Sequence, residues 1–302
     1  MNYNKQIILG LGIFLTLLTN AIYAEPTPTP QLILPTPLMS VVGANESALN
    51  LEPSTNGTGQ PESLANKANN PLTPLSALIF QNYVQTGVNG ASNPGDTLNV
   101  RYAQHIKPNK VIPVPQLFRL ELPVSVVPMP NGSSIAGLGG ASLFDTFILK
   151  QTGVEFGIGP AMTLPTSTRA PYTGPNTTEA GGAIITSYHK PRYLLGAVIQ
   201  GQGSFTWSHG QPTNSFVSVQ PISSYNLADG YYLRSTGIWN FNFAPGNNKQ
   251  YYIPLGLGAG KAWRMKDMIF NFYAEPQPTV IHGGAGDPKF QFLTGLNIMF
   301  NA

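Results

Sequence analysis

The stretch Phe290-Gln-Phe-Leu-Thr-Gly-Leu-Asn-Ile-Met-Phe300 decides the fold. Phe290, Phe292, Leu296, Ile298 and Phe300 share one face, broken only by Thr294. Gln291, Leu293, Gly295, Asn297 and Met299 share the other. A period of two is the signature of a β-strand. Aromatic residues at both ends of the apolar face suit an antiparallel barrel closed in a lipid bilayer, where each crossing needs about 9–11 tilted residues. A β-sandwich strand with one greasy face is the other reading of this segment.

Composition favours the barrel. Only 10% of the 302 residues are charged, against about 25% in ordinary soluble domains. Beyond the N-terminus no apolar run approaches the roughly 20 residues that a spanning helix needs. The net charge of +3 shows no basic cluster, so no nucleic-acid partner is expected. With no cysteine, disulfides, thiolate metal sites and lipid attachment through an N-terminal Cys are excluded.

Residues 1–24 read as a signal peptide. Lys5 supplies the positive start, Ile7 to Leu18 the apolar run, and Ala21-Ile-Tyr-Ala24 a cleavage site. Residues 25–70 differ in composition. Pro26, Pro28, Pro30, Pro35 and Pro37 precede an Asn/Ser/Gly/Thr tract. This segment is expected to be flexible and disordered, with a small apolar patch at residues 32–34 and 38–42. Residues 71–302 are assigned to the barrel.

In that region strands are expected near 77–86, 97–106, 115–124, 141–149, 153–164, 182–189, 192–204, 214–224, 231–241, 250–262, 268–275 and 288–300. That count is about twelve and even, as a single-chain bacterial barrel requires. No helix is expected after the leader. The gaps alternate long and short, with long ones at 87–96, 125–140, 165–181, 206–213, 242–249 and 275–287. Long external loops and short periplasmic turns produce that rhythm. The fold class is therefore all-β: a transmembrane, antiparallel, up-and-down β-barrel with a disordered N-terminal segment.

Parity separates the two faces of the wall. Phe118, Leu120, Leu122 and Val124 share one parity, and Arg119 and Glu121 the other. Val154, Phe156, Ile158, Met162 and Leu164 oppose Glu155 and several glycines. Tyr251, Ile253, Leu255, Leu257 and Ala259 oppose Gly256, Gly258 and Gly260. A lipid-facing Arg or Lys costs roughly 2–4 kcal/mol at midplane. Arg101, Arg119, Glu121, Glu155 and Arg234 are therefore assigned to the lumen, either as a mutually neutralising ladder or as guides for solute. The inward glycines mean either large neighbours or a narrow interior. Tyr231, Tyr232, Tyr251, Tyr252 and Trp263 suit interfacial girdles.

Chemistry of other kinds is missing from the pattern. His105, His189, His209 and His282 have no metal-ligand spacing. Ser208-His209 is the one adjacent nucleophile–base pair, in an expected loop. Gly256-Leu-Gly-Ala-Gly-Lys261 lacks the spacing and hydroxyl residue of a phosphate loop. No enzyme, metal or cofactor is expected.

Several stretches carry a resemblance. Asn70-Pro71 precedes Ser76-Ala-Leu-Ile-Phe-Gln81. Gly137-Leu-Gly139, Gly157-Ile-Gly-Pro160 and Leu164-Pro-Thr166 follow. Then come Gln220-Pro221, Tyr225-Asn-Leu227, Asp229-Gly-Tyr-Tyr-Leu233, Ile253-Pro-Leu-Gly256 and Gly258-Ala-Gly-Lys261. In this order, over residues 70–300, they resemble a family of Gram-negative outer-membrane proteins. The family is catalogued as transporters, as the meta-pathway of phenol degradation family, and under the name neuromedin U. Gly140 stands where the family usually has Asp, and two residues follow Phe300. The resemblance implies a barrel in the bacterial outer membrane that takes up small compounds, aromatic or apolar ones among them. Gly295, Ile298 and Phe300 have the spacing of an assembly signal read by the barrel-insertion machinery. Outer-membrane lipid, that machinery and an unidentified small solute are thus the expected partners. A non-transporting adhesin or structural barrel, and a secreted soluble β-sandwich binding protein, are the alternatives.

Overall fold

The computed structural model describes residues 62–205, 207–208, 211–212, 214–243 and 250–301. Residues 1–61, on which the expected signal peptide and apolar patch fall, lie outside the described residues, as does His209. Twelve antiparallel strands follow one another around a closed barrel. They are β1 (Ser76–Val88), β2 (Gly95–Ile106), β3 (Gln116–Pro128), β4 (Ser134–Leu138 and Ala141–Lys150), β5 (Val154–Leu164) and β6 (Glu179–Lys190). The second half is β7 (Tyr193–Ser204), β8 (Ser215–Asn226), β9 (Tyr231–Ser235 and Trp239–Asn242), β10 (Gln250–Pro254 and Gly258–Met265), β11 (Met268–Ile281) and β12 (Pro288–Phe300). Trp207–Ser208 and Gln211–Pro212 pair as a small hairpin between β7 and β8.

Closure is made by the stretch that opened the reading. β12 pairs with β11 on one side and with β1 on the other, from Ser76 opposite Phe300 to Val88 opposite Pro288. No strand edge is left, so the backbone ladder satisfies itself around the ring. Every expected strand is present at nearly its expected position.

Three differences have physical causes. First, β11 continues through Pro276 and Pro278 to Ile281, where residues 275–287 were expected to be a loop. The carbonyls of Pro276 and Pro278 accept from the N–H of Leu257 and Leu255. Their missing donors therefore face the interruption of β10 between Pro254 and Gly258. The prolines cost the sheet little there. Second, residues 125–140 are largely paired, because β3 runs to Pro128 and the first piece of β4 returns beside it. Third, the length rhythm has an exception, since the β2–β3 connection over 107–115 outlasts several connections at the other end. We call the end with the β4–β5, β6–β7 and β10–β11 turns the turn end, and the opposite one the loop end.

A helix also exists where none was expected. α1 (Leu64–Asn69) lies inside the turn end of the barrel. Ala65, Asn66, Lys67, Ala68 and Asn69 are all buried. Ser63 caps it, its Oγ accepting from the Asn66 N–H at 3.1 Å. Residues 62–70 are therefore not a free arm. Their Asn- and Ala-rich sequence cannot form a core by itself, but it can fill a cavity whose walls match its amides.

Candidate functional site: the barrel lumen

The inward rows are set by strand parity. On β1 they hold Ala77, Ile79, Gln81, Tyr83 and Gln85. On β3 they hold Leu117, Arg119, Glu121 and Ser125, so Leu117 stands in the same row as the charged pair. Read along either strand, the row is apolar at the turn end and polar towards the loop end. On β12 the inward row mixes the two, running from Met299 at the turn end through Asn297, Gly295 and Leu293 to Gln291.

The turn half of the lumen holds an apolar core. Leu72 and Leu75, on the segment that follows α1, pack in one cluster with Leu117, Phe144, Ile148, Ile185 and Leu194 from the wall. Fully burying each leucine contributes about 1.5–3 kcal/mol. Amide bonds locate the segment. Asn66 Nδ2 donates to the Lys190 carbonyl at 2.6 Å. Asn226 Nδ2 lies within reach of Ser63 Oγ at 2.8 Å, Asn66 Oδ1 at 2.7 Å and the Pro191 carbonyl at 3.0 Å. Asn271 Nδ2 donates to the Ala68 carbonyl at 3.1 Å, and Asn70 Nδ2 to Glu155 Oε2 at 2.7 Å. Glu155 thus meets the plug segment and does not join the other charges. His189 Nε2 is 3.7 Å from Glu62 Oε1 at the same end.

The middle layer is charged. Arg101 on β2 pairs with Glu121 directly opposite on β3, and also donates to Gln81 Oε1. Gln81 in turn donates to the Tyr273 hydroxyl. Arg119 sits over the Phe144 ring, 4.4 Å from its centroid. Arg234 on β9 reaches Glu275 on β11 at 2.9 Å and stacks over Tyr273 at 3.7 Å. Glu275 also accepts from the Thr236 N–H and hydroxyl, each at 2.8 Å.

The Arg234–Glu275 pair spans β10, which lies between its two strands. It can do so because β10 presents glycine inward. A Cβ on Gly256 or Gly258 would overlap the Glu275 side chain, and one on Gly260 would overlap Tyr232. On β12 a Cβ at Gly295 would overlap the Tyr273 ring. The inward glycines therefore receive large neighbours. Gly295 has this packing role, while Ile298 and Phe300 face outward.

Sequence reasoning missed Glu275, Tyr273, Tyr232 and α1. Glu275 was hidden by the two prolines that follow it. Tyr232 and Tyr252 were assigned to girdles, and the structure corrects both: they are buried inward, at 0% and 6% exposure. Tyr231 and Tyr251 take the outward positions, because neighbours in a strand cannot share a face.

The loop half opens into a vestibule. Tyr83, Gln85, Tyr172, Asn240, Tyr252 and Gln291 are among its lining residues, and no charged side chain is. Its enclosed volume is about 30 Å³, room for only about one or two waters before it widens into open solvent. The connection over 165–178 folds inward to supply Tyr172 and Thr173. It docks where β4 is interrupted. The Thr168 N–H and the Thr173 hydroxyl both donate to the Leu138 carbonyl, at 3.1 and 2.8 Å. Gly137, Gly139 and Gly140 leave room for this loop, since a Cβ on any of them would press on it. At the rim, burial raises the Asp287 carboxyl above its usual range, although Gly283 and Gly284 N–H groups donate to it.

The closed wall has a solved counterpart. The chain is similar to the outer membrane channel from Pseudomonas putida F1, with a TM-score of 0.57 and 11% identity over 75% of this chain and 94% of that one. The two share the closed β-barrel fold. CdiB from Acinetobacter baumannii aligns at 8% identity and a TM-score of 0.34, over 77% of this chain and 61% of that one. A bacterial polysaccharide outer membrane secretin aligns at 11% identity and 0.37, over 76% and 99%. Those two scores are too low to carry an argument. No protein-family model matches the chain, and no curated protein matches it at a significant level. Among the described residues no cluster of His, Cys, Asp and Glu could hold a metal ion.

Proposed function

We propose that the protein is an outer-membrane channel for small neutral solutes, seen here in a closed state. The observation that carries this reading is the uncharged vestibule that leads from the loop end to a lumen stopped by the chain's own residues 62–75. Tyrosine rings and amides offer stacking and hydrogen bonds without a charge that must be desolvated. Aromatic and apolar solutes belong to the class that such a lining accepts.

A bilayer setting is supported by the wall itself. A strand of 13 residues, such as β12, is about 43 Å long and rises about 33 Å when tilted by about 40°, close to the hydrocarbon thickness of about 30 Å. Outward positions on β12 are Phe290, Phe292, Thr294, Leu296, Ile298 and Phe300, which suit lipid. Gly295, Ile298 and Phe300 keep their proposed role as a signal for the insertion machinery.

The test is solute entry into proteoliposomes across a size series of neutral solutes, for the mature chain and for a chain beginning at Ser76. Slow, size-limited entry that quickens when the plug segment is absent is the expected result. The apolar packing of Leu72 and Leu75 favours a second reading, a structural barrel that conducts nothing. Silence of both proteins, folded in the same liposomes, would establish that reading instead.

A further inference from the structure

The charges outside the lumen are distributed unevenly. Lys107, Lys110, Lys150, Arg192, Arg264 and Lys266 are exposed at the turn end. They lie in or directly beside four of the five connections there, the β8–β9 connection being the exception. Two more cations, Lys190 and Lys261, lie half-buried on the outer wall at the same level. Among the described residues the exposed carboxylates of this end are Asp229 and Asp267. Among exposed side chains, six cations against two carboxylates leave an excess of four positive charges (6 − 2) around one rim, and of the half-buried groups on the outer wall Asp145 offsets part of the Lys190 and Lys261 pair. The excess at the loop end is smaller: among the described residues its exposed cations are Arg169 and Lys289 and it has no exposed carboxylate, an excess of two (2 − 0).

The half-buried pair shows at what depth the rim works. Lys190 Nζ lies over the outward-facing Tyr188 ring, 5.6 Å from its centroid. Lys261 Nζ lies over the Tyr231 ring at 4.2 Å. Tyr188 also packs against Tyr193 at 6.3 Å, and Trp263 stacks on Phe270 at 5.7 Å. Amphipathic rings on an outer wall occupy the zone where hydrocarbon gives way to headgroups. Ammonium groups folded over them extend from an apolar stem into that zone.

We propose that the turn-end rim is a belt that binds anionic phospholipid headgroups. Three features favour this occupant. The cations lie in or beside four connections around the circumference, whereas a globular partner meets one arc. They do not converge, so a single inorganic phosphate could not satisfy them, while a leaflet supplies many separate phosphates. Two of them stand on the lipid side of the wall, turned away from the lumen mouth. Basic residues near an anionic surface add up in their attraction, within a Debye length. The belt would fix the depth and tilt of the barrel by holding this end at the headgroup level.

This inference rests on the membrane reading above, and the experiment separates the two. The mature chain in detergent is incubated with equal amounts of phosphatidylglycerol and phosphatidylcholine, then stripped, and retained lipid is read by native mass spectrometry. Retention of phosphatidylglycerol over phosphatidylcholine by at least about threefold is expected, falling as salt is raised. The triple variant Lys190→Gln, Lys261→Gln, Lys266→Gln should bring the ratio towards one, whereas Lys289→Gln should leave it unchanged. Millimolar inorganic phosphate should not displace the lipid. Equal retention of the two lipids by the unmodified protein would overturn the proposal, whatever the variant does. So would an unchanged ratio in a folded triple variant. A chain that stays monomeric in buffer without detergent would remove the membrane reading itself.

Discussion

The two halves of the lumen are lined by the same inward rows, yet they are closed by opposite chemistry. In the turn half, Ile79, Leu117, Ile148 and Leu194 surround Leu72 and Leu75 as in a soluble core. In the middle and loop half, the next residues along those strands are Gln81, Arg119 and Glu121, tied into ion pairs and amide chains. The difference teaches that inward does not mean polar in a barrel. The row takes the character of whatever occupies the space before it. Where a leucine-bearing segment enters, the wall is apolar. Where it does not, charges pair along the wall, between neighbouring strands or across a single one.

The sharpest way to break this contrast is to attack the charged layer. Glu275→Ala leaves Arg234 buried beside no carboxylate and should destabilise the barrel by about 3–5 kcal/mol. The readout is the temperature at which the compact band of the unheated protein disappears on a gel. The double variant Arg234→Met, Glu275→Leu should recover much of that loss, because a buried pair exchanged for apolar groups costs far less than half a pair. If the single and double variants were equally unstable, electrostatics would not be the cause.

The apolar half should respond differently. Leu72→Ala should cost about 2–5 kcal/mol by leaving a cavity under the plug. It should also raise solute entry, which no change in the charged pair of β2 and β3 should do by this route. A stable Leu72→Ala protein with unaltered permeability would show that the turn half is not a core. Between the layers, Gly295→Ala meets the Tyr273 ring and should cost about 1–3 kcal/mol by overpacking. Adding Tyr273→Leu should relieve part of it, and a failure of that rescue in thermal melts would speak against the packing account.

Smaller effects sharpen the picture. Asn226→Ala removes the donor shared among Ser63, Asn66 and Pro191. A loss of about 1 kcal/mol is expected, with easier proteolysis of the plug segment as its visible sign. Smallest in vitro is Phe300→Asp. A carboxylate near the interface costs only about 0–1 kcal/mol, so refolding in detergent should be nearly normal. Insertion in cells should nevertheless be poor if residues 295, 298 and 300 form the assembly signal. Normal cellular yield would remove that role.

Much of the wall was legible because a period of two survives errors of register and boundary. Each of the twelve strands could be placed from its own residues, since the chain alternates faces at every step. The lumen was legible only in part. Arg101, Arg119, Glu121 and Arg234 lie on inward rows by parity alone. Their partners do not follow from it. Glu275 stands three strand positions from Pro278, in a segment whose prolines look like a loop, and its pairing with Arg234 requires the glycines of an intervening strand. Tyr232 beside Tyr231, and Tyr252 beside Tyr251, could not be divided between faces until the register was known.

What the sequence by itself determined is the alternation, and through it the strands, their even number and the outward apolar surface. These depend on each residue's nearest neighbours along the chain. What only the tertiary structure decided is the interior: that residues 62–75 fill the turn half, that Glu275 reaches across β10, and that residues 165–178 fold into the mouth. Those arrangements join positions far apart in the chain, such as Asn271 with Ala68. They depend on strand stagger around a closed ring, which the pattern within any single strand does not contain.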